Sequence, residues 1–230
     1  PHLPYAGSQV WSADFLPGAH QGTRVTSGAQ PVADLDPKLD KNVQRMELDF
    51  LARFNRRHMQ SRPGDPALAA RIQAFETAFG MQSEMPGVFD FSKETDATLK
   101  LYGLERGQTD GFGWQCLVAR RLAERGVRFV EMIDTGSSNN WDVHSGLKNM
   151  NRLAANVDRP IAGLLRDLKS RGMLNDTIVV WATEFGRTPW SNPKILGREH
   201  HNKVFTCWLA GGGIKGGTVY GASDETAAQI

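Results

Sequence analysis

Long apolar runs, a cysteine framework and massed charge of one sign are all missing from this chain. None of its hydrophobic stretches approaches the ~20 residues that a membrane-spanning helix needs, so no span is expected. Its two cysteines, Cys116 and Cys207, are too few for a disulfide scaffold. Each sits in an apolar pattern, helical around Cys116 and strand-like around Cys207, and reads as a small buried hydrophobe. A bridge between the two stays open. The formal net charge is only +2 and the basic residues are scattered, so nothing predicts a nucleic-acid or membrane surface. Gly211-Gly212-Gly213 lacks the Gly-Lys-Ser/Thr ending of a phosphate-cradling loop and reads instead as a turn into a hairpin at residues 218–220. No Met stands at the start, and the last residues are polar, so the chain reads as part of a longer one.

What is present is ordinary for a globular protein, with 40% hydrophobic and 23% charged residues. Residues 1–37 are punctuated by Pro4, Gly7, Pro17, Gly18, Gly22, Gly28, Pro31 and Pro37 and read as irregular chain packed on something upstream. Residues 38–110 read as a helical insert. A first helix runs from Asp40 to about Gln60 on Val43, Met46, Leu48, Phe50, Leu51 and Phe54, and Pro63-Gly64 breaks it. Asp65 and Pro66 then open a second that should stop at Gly80. A shorter one starts near Asp90, Ser92 or Thr95 and ends near Gly103.

Residues 111–230 alternate. A helix from about Trp114 to Arg125 is closed by Gly126, and residues 127–133 read as a strand. One long helix or two, bent near Pro160, fill residues 147–171, with Gly172 as the stop. Residues 177–182 and 204–210 are two more strands. Strand, helix, strand at this spacing implies a parallel sheet covered by helices.

In open α/β sheets, ligands bind beyond the carboxyl ends of the strands. Three polar clusters stand there. Asp134-Thr135-Gly136 and Trp141-Asp142-Val143-His144 follow the first strand. Glu184-Phe185-Gly186-Arg187 follows the second, and Gly197-Arg198-Glu199-His200-His201 precedes the third. Asp142 and His144 are two apart, so in extended backbone both reach one ion. With Glu184 and His200 or His201 they make a mixed oxygen and nitrogen set, which suits zinc or manganese better than calcium. Arg187 and Arg198 would fork onto the oxygens of a phosphate or sulfate ester. The plainer readings are an Asx turn beside a surface histidine, a surface His-His pair, and a Glu184–Arg187 salt bridge. Asp134 reads as a ligand, a support for a ligand or a turn residue. Trp141, Trp181 and Trp190 read as core or pocket wall.

Motifs in order also carry a resemblance. Gly126-Val127-Arg128-Phe129-Val130, Trp141-Asp142-Val143-His144, Arg171-Gly172-Met173-Leu174, Glu184-Phe185-Gly186-Arg187-Thr188-Pro189, Gly197-Arg198-Glu199-His200 and Ala210-Gly211-Gly212-Gly213 resemble the sulfatase-like domain-of-unknown-function 1501 family (DUF1501). So do Phe89-Asp90 with Tyr102-Gly103, and residues 116–122. The family is placed in the alkaline phosphatase superfamily. The resemblance therefore implies an α/β fold, a doubly wound, mostly parallel sheet of alkaline phosphatase or sulfatase type, here incomplete, with a metal site at its carboxyl edge. It implies Asp142, His144 and His200 as ligands of one metal position. Glu184-Phe185 stands where the superfamily has Asp-His, so a second position would lose an imidazole. Glu199 stands where the family usually has Asp.

The superfamily's nucleophile is a Ser, Thr or oxidised Cys beside an early Asp. No such motif occurs here, and the sulfatase pattern Cys-x-Pro-Ser-Arg is absent. The expected function is a metal-dependent hydrolase of phosphate or sulfate esters, small-molecule or carbohydrate, periplasmic or secreted by the resemblance. The alternative is a non-catalytic exported binding or structural protein on the same fold. A mutase or transferase ranks third.

Overall fold

The structure is a computed structural model. It describes residues 10–62, 64–134, 141–142, 144, 150–194 and 197–229. The readings placed on Pro4, Gly7, Pro63, Thr135, Gly136, Val143 and the helix start at Leu147 lie outside these residues. The chain divides into two compact units, Pro1–Lys93 and Glu94–Ile230. Among the described residues no helix is long and apolar enough to cross a membrane.

The first unit is helical beyond its irregular start. Helix α1 spans Lys41–Gln60, and the Asp40 carboxylate accepts from Asn42 N at 2.8 Å to cap it. Helix α2 spans Pro66–Phe89, with Asp65 accepting from Ala67 N and Leu68 N and Pro66 in the first turn. It passes the expected stop at Gly80 because that glycine does not take the left-handed conformation a stop requires. Arg45 on α1 forks onto both carboxylate oxygens of Glu76 on α2, each at 2.9 Å. The apolar stripe of α1 is exposed along Met46, Phe50 and Phe54.

The second unit has a packed helical layer. Helix α3 (Asp96–Leu101) is capped by Thr95, whose hydroxyl accepts from Thr98 N. Helix α4 (Gly111–Glu124) buries Trp114, Cys116, Leu117, Val118, Ala119 and Leu122. Helix α5 (Met150–Ser170) packs on α3 and α4 and buries Leu153, Leu164 and Leu168. Pro160 lies inside α5 without dividing it, and Gly172, at φ 73°, follows its end. Cys116 and Cys207 are both free thiols; Cys207 is exposed, against the buried strand position expected of it.

A charged cluster is sealed into this layer. Arg120 on α4 is 2% exposed. Its Nη2 meets Glu94 Oε1 and its Nη1 meets Glu124 Oε2, both at 2.7 Å, and its Nε lies 3.0 Å from Asp167 Oδ2 on α5. The last contact is close enough for ion pairing but is not aligned as a hydrogen bond. Tyr102 donates to Asp167 Oδ2 at 2.8 Å. Burial and the Asp167 charge hold the Tyr102 phenol well above its usual range. Arg171 closes the set on Asp167 and Glu124.

The sheet reading is overturned. Strand β1 (Ile178–Trp181) pairs with β4 (Trp208–Gly211), and β2 (Gly186–Arg187) pairs with β3 (His200–His201). Both pairs are two-stranded and antiparallel, so the described residues hold no doubly wound parallel sheet. The reason lies between β1 and β4. A parallel return needs a crossover of a dozen or more residues, usually a helix. Here that interval folds as the β2–β3 hairpin, and the chain comes back reversed, with Ile178 opposite Gly211 and Trp181 opposite Trp208. Residues 127–133 form no strand, because β-propensity makes a strand only where a partner supplies the ladder. Phe129 there is 82% exposed. The hairpin expected at 218–220 is also absent, and Val219 and Tyr220 are exposed.

Candidate metal centre

The β2–β3 hairpin builds the site. Arg187 lies directly opposite His200, and Gly186 opposite His201. Directly opposed residues project from the same face of an antiparallel pair, so Arg187 and His200 share one face and His201 points from the other. His201 instead sits 6.1 Å, ring to ring, from Trp190. Gly186 is required: a Cβ there would lie 2.0 Å from the Val204 carbonyl oxygen. Thr188, buried, pins the next rung. Its N–H donates to Glu199 O at 2.9 Å, and its hydroxyl accepts from Glu199 N and donates to Trp190 O. Arg198 Nη1 donates to Thr188 O and Pro189 O at 2.8 and 2.9 Å, tying the turn to its base.

Onto this face comes Asp142. Its Oδ1 lies 2.9 Å from His200 Nε2, 3.0 Å from His144 Nε2 and 2.5 Å from Arg187 Nη2. The hydrogen bond from His200, then that from Arg187, hold its carboxyl far below the usual aspartate range. The His144 and His200 rings stand 4.7 Å apart, and Phe185 packs on His200 at 4.3 Å. Exposure is 56% for Asp142, 39% for His144 and 47% for His200, so the cluster is open to solvent.

One ligand atom from each of Asp142, His144 and His200 lies within 4.8 Å of the others. A tetrahedral ion with bonds of about 2.1 Å sets its ligand atoms about 3.4 Å apart, so small rotations close this set around one ion. One carboxylate oxygen and two imidazole nitrogens are a donor set that fits a metal ion.

The other nitrogen of His144 is also engaged: Nδ1 lies 3.0 Å from Glu199 Oε2. With Nδ1 turned to Glu199, Nε2 is the nitrogen that faces the ion position, the arrangement in which carboxylates support metal-bound histidines.

Residues 2–230 match the family described as a protein of unknown function, DUF1501. The chain belongs to the DUF1501 family. No curated protein and no solved structure matches it.

Within this DUF1501 chain the six residues singled out by sequence fall into three positions. Asp142, His144, His200 and Arg187 meet at one carboxylate oxygen. Arg198 stands behind them, with its Nη1 held by backbone carbonyls. Glu184 is exposed on the bend after β1 and is not in the three-residue ligand group. Asp134 accepts from the Trp141 indole N–H at 2.7 Å, and Trp141, Trp181 and Trp190 are partly exposed. Sequence reasoning missed the support given by Glu199 and Thr188. The signal for Glu199 is its place directly beside His200.

Proposed function

We propose that this DUF1501 protein is a metal-dependent hydrolase of phosphate or sulfate esters, akin to the sulfatases of the alkaline phosphatase superfamily and acting outside the cytoplasm. The observation that carries the reading is the convergence of Asp142, His144 and His200 beside Arg187 on an open face. A divalent zinc or manganese ion held there would supply charge stabilisation at the ester oxygens. The chain's own groups do the rest. Glu199 orients His144, Phe185 packs against the His200 ring, and Arg187 presents a guanidinium to the substrate's free oxygens. Arg198 supports the hairpin and is assigned the outer ester oxygens. Glu184, next in sequence to Phe185, is assigned as a fourth ligand.

The test is metal analysis of the purified protein, followed by assay of aryl phosphates and aryl sulfates. Asp142→Ala should lose the ion and reduce turnover at least ~100-fold, the scale of removing a metal-supported group. Retained metal and turnover in that variant would sink the reading. Unchanged metal affinity in Glu184→Ala would remove Glu184 from the ligand set. A second reading, an exported binding protein that captures an anion without turnover, is favoured by Arg198, whose Nη1 is spent on carbonyls. Bound metal with no turnover on either ester class would select it.

A further inference from the structure

Three nitrogens crowd one atom. Arg187 Nη2, His144 Nε2 and His200 Nε2 all lie within 3.0 Å of Asp142 Oδ1. Hydrogen bonds from Arg187 and His200 occupy the two lone pairs of that oxygen. It is also the oxygen that a cation shared with the two imidazoles would take. An ion bonded to Oδ1 at about 2.1 Å would lie no more than roughly 4.6 Å from Arg187 Nη2, setting two positive groups against each other on one acceptor. The imidazoles turn their lone pairs to the ion and stay. The guanidinium has no lone pair to offer, and the ion's charge repels it from the shared oxygen.

Resting on the metal reading above, we infer that Arg187 and the divalent cation exchange on Asp142 Oδ1, and that the displaced guanidinium becomes the receptor for an oxyanion. Arg187 can turn without unfolding its strand, since its backbone is held by the pairing with His200 and its other contact, Nη1 to Arg198 O, is long at 3.4 Å. The chemical class this admits is a tetrahedral oxyanion, whose paired oxygens match the planar fork. The consequence is linkage. The cation binds more tightly when an anion holds Arg187 away, and the anion binds more tightly when the cation holds Asp142, by the same factor.

The experiment is titration of the intact chain with Mn²⁺, with and without inorganic sulfate, followed by calorimetry and by the spin-resonance signal of free Mn²⁺. Wild type should bind Mn²⁺ about tenfold more tightly in saturating sulfate, within the usual range of allosteric coupling. Arg187→Gln should bind Mn²⁺ severalfold more tightly than wild type without sulfate, and sulfate should add nothing. Arg187→Lys, which keeps the charge on a flexible stem, guards against a folding defect and should restore the weak sulfate-free affinity with only part of the sulfate effect. Equal or weaker Mn²⁺ affinity in Arg187→Gln, at an unchanged melting temperature, would overturn the exchange. So would a sulfate effect equal in wild type and variant. Absence of any Mn²⁺ or Zn²⁺ binding by wild type would instead overturn the metal reading beneath it.

Discussion

Arg120 and Arg187 both meet an aspartate, one inside the helical layer and one on an open hairpin face. Arg120 divides its nitrogens among Glu94, Glu124 and Asp167, and Tyr102 takes up part of what Asp167 has left. Burial opposes the guanidinium's charge, and the ion pairs with Glu94 and Glu124 overcome it, so its pKa is raised. Each charged group there faces an opposite charge. Around Asp142 the balance is inverted. One oxygen is crowded by three nitrogens, two of them hydrogen-bonded to it, and all the parties are at least a quarter exposed. The same pair of residue types makes a lock where water is excluded and the charges are paired. It makes an exchangeable contact where water enters and several groups crowd one acceptor.

The largest expected effect breaks the lock. Arg120→Ala strands buried carboxylates and should cost about 3–5 kcal/mol, read by urea unfolding. A loss under ~1 kcal/mol would show that the buried cluster is no more constraining than the open one. A middle-sized effect separates support from packing at the open site. Glu199→Gln should weaken Mn²⁺ or Zn²⁺ binding by about 10–100-fold, the usual cost of losing a histidine's supporting carboxylate, while the urea midpoint stays put. Unchanged metal affinity would leave Glu199 a bystander. The smallest effect concerns the thiols and leaves stability alone. Burial in α4, and then the negative charge of Asp134, push the Cys116 thiol up to about 12. It is therefore protonated at pH 8 and unreactive, because the thiolate is the nucleophile. Cys207 is exposed. A thiol reagent at pH 8 should label one cysteine per native chain and two in denaturant; two in the native chain would mean that the helical layer is not closed.

Helices were legible wherever their signals were local. Asp40, Asp65 and Thr95 cap through side chains two or three residues from the amides they serve. Gly80 misled because glycine ends a helix only when it turns left-handed, as Gly172 does, and composition does not say which will. The sheet was not legible because strand direction is a property of pairs. Residues 127–133 have strand composition without a partner, and β1 and β4 run antiparallel because of the hairpin between them. Pro189, Asn192, Pro193 and Gly197 marked a turn there but not its effect on direction.

At the site, residue types pointed to Asp142, His144 and His200. The contact of His144 with Glu199 spans 55 residues and leaves no local trace. The buried Arg120 cluster was hidden for a different reason. An arginine in an amphipathic helix ordinarily reads as its wet side, although the four-residue spacings Arg120–Glu124 and Asp167–Arg171 were visible.

The doubled histidine on β3 has a consequence for insertions and deletions. Sliding one strand by a residue exchanges inward and outward side chains, which ordinarily erases whatever the inward face was built to do. In this hairpin, a turn shortened by one position would swing His201 to where His200 now stands, and an imidazole would still arrive at Asp142; a turn lengthened by one would bring Glu199 there instead. The neighbouring rings act as a spare against deletion, so the turn can lose a residue more freely than it can gain one.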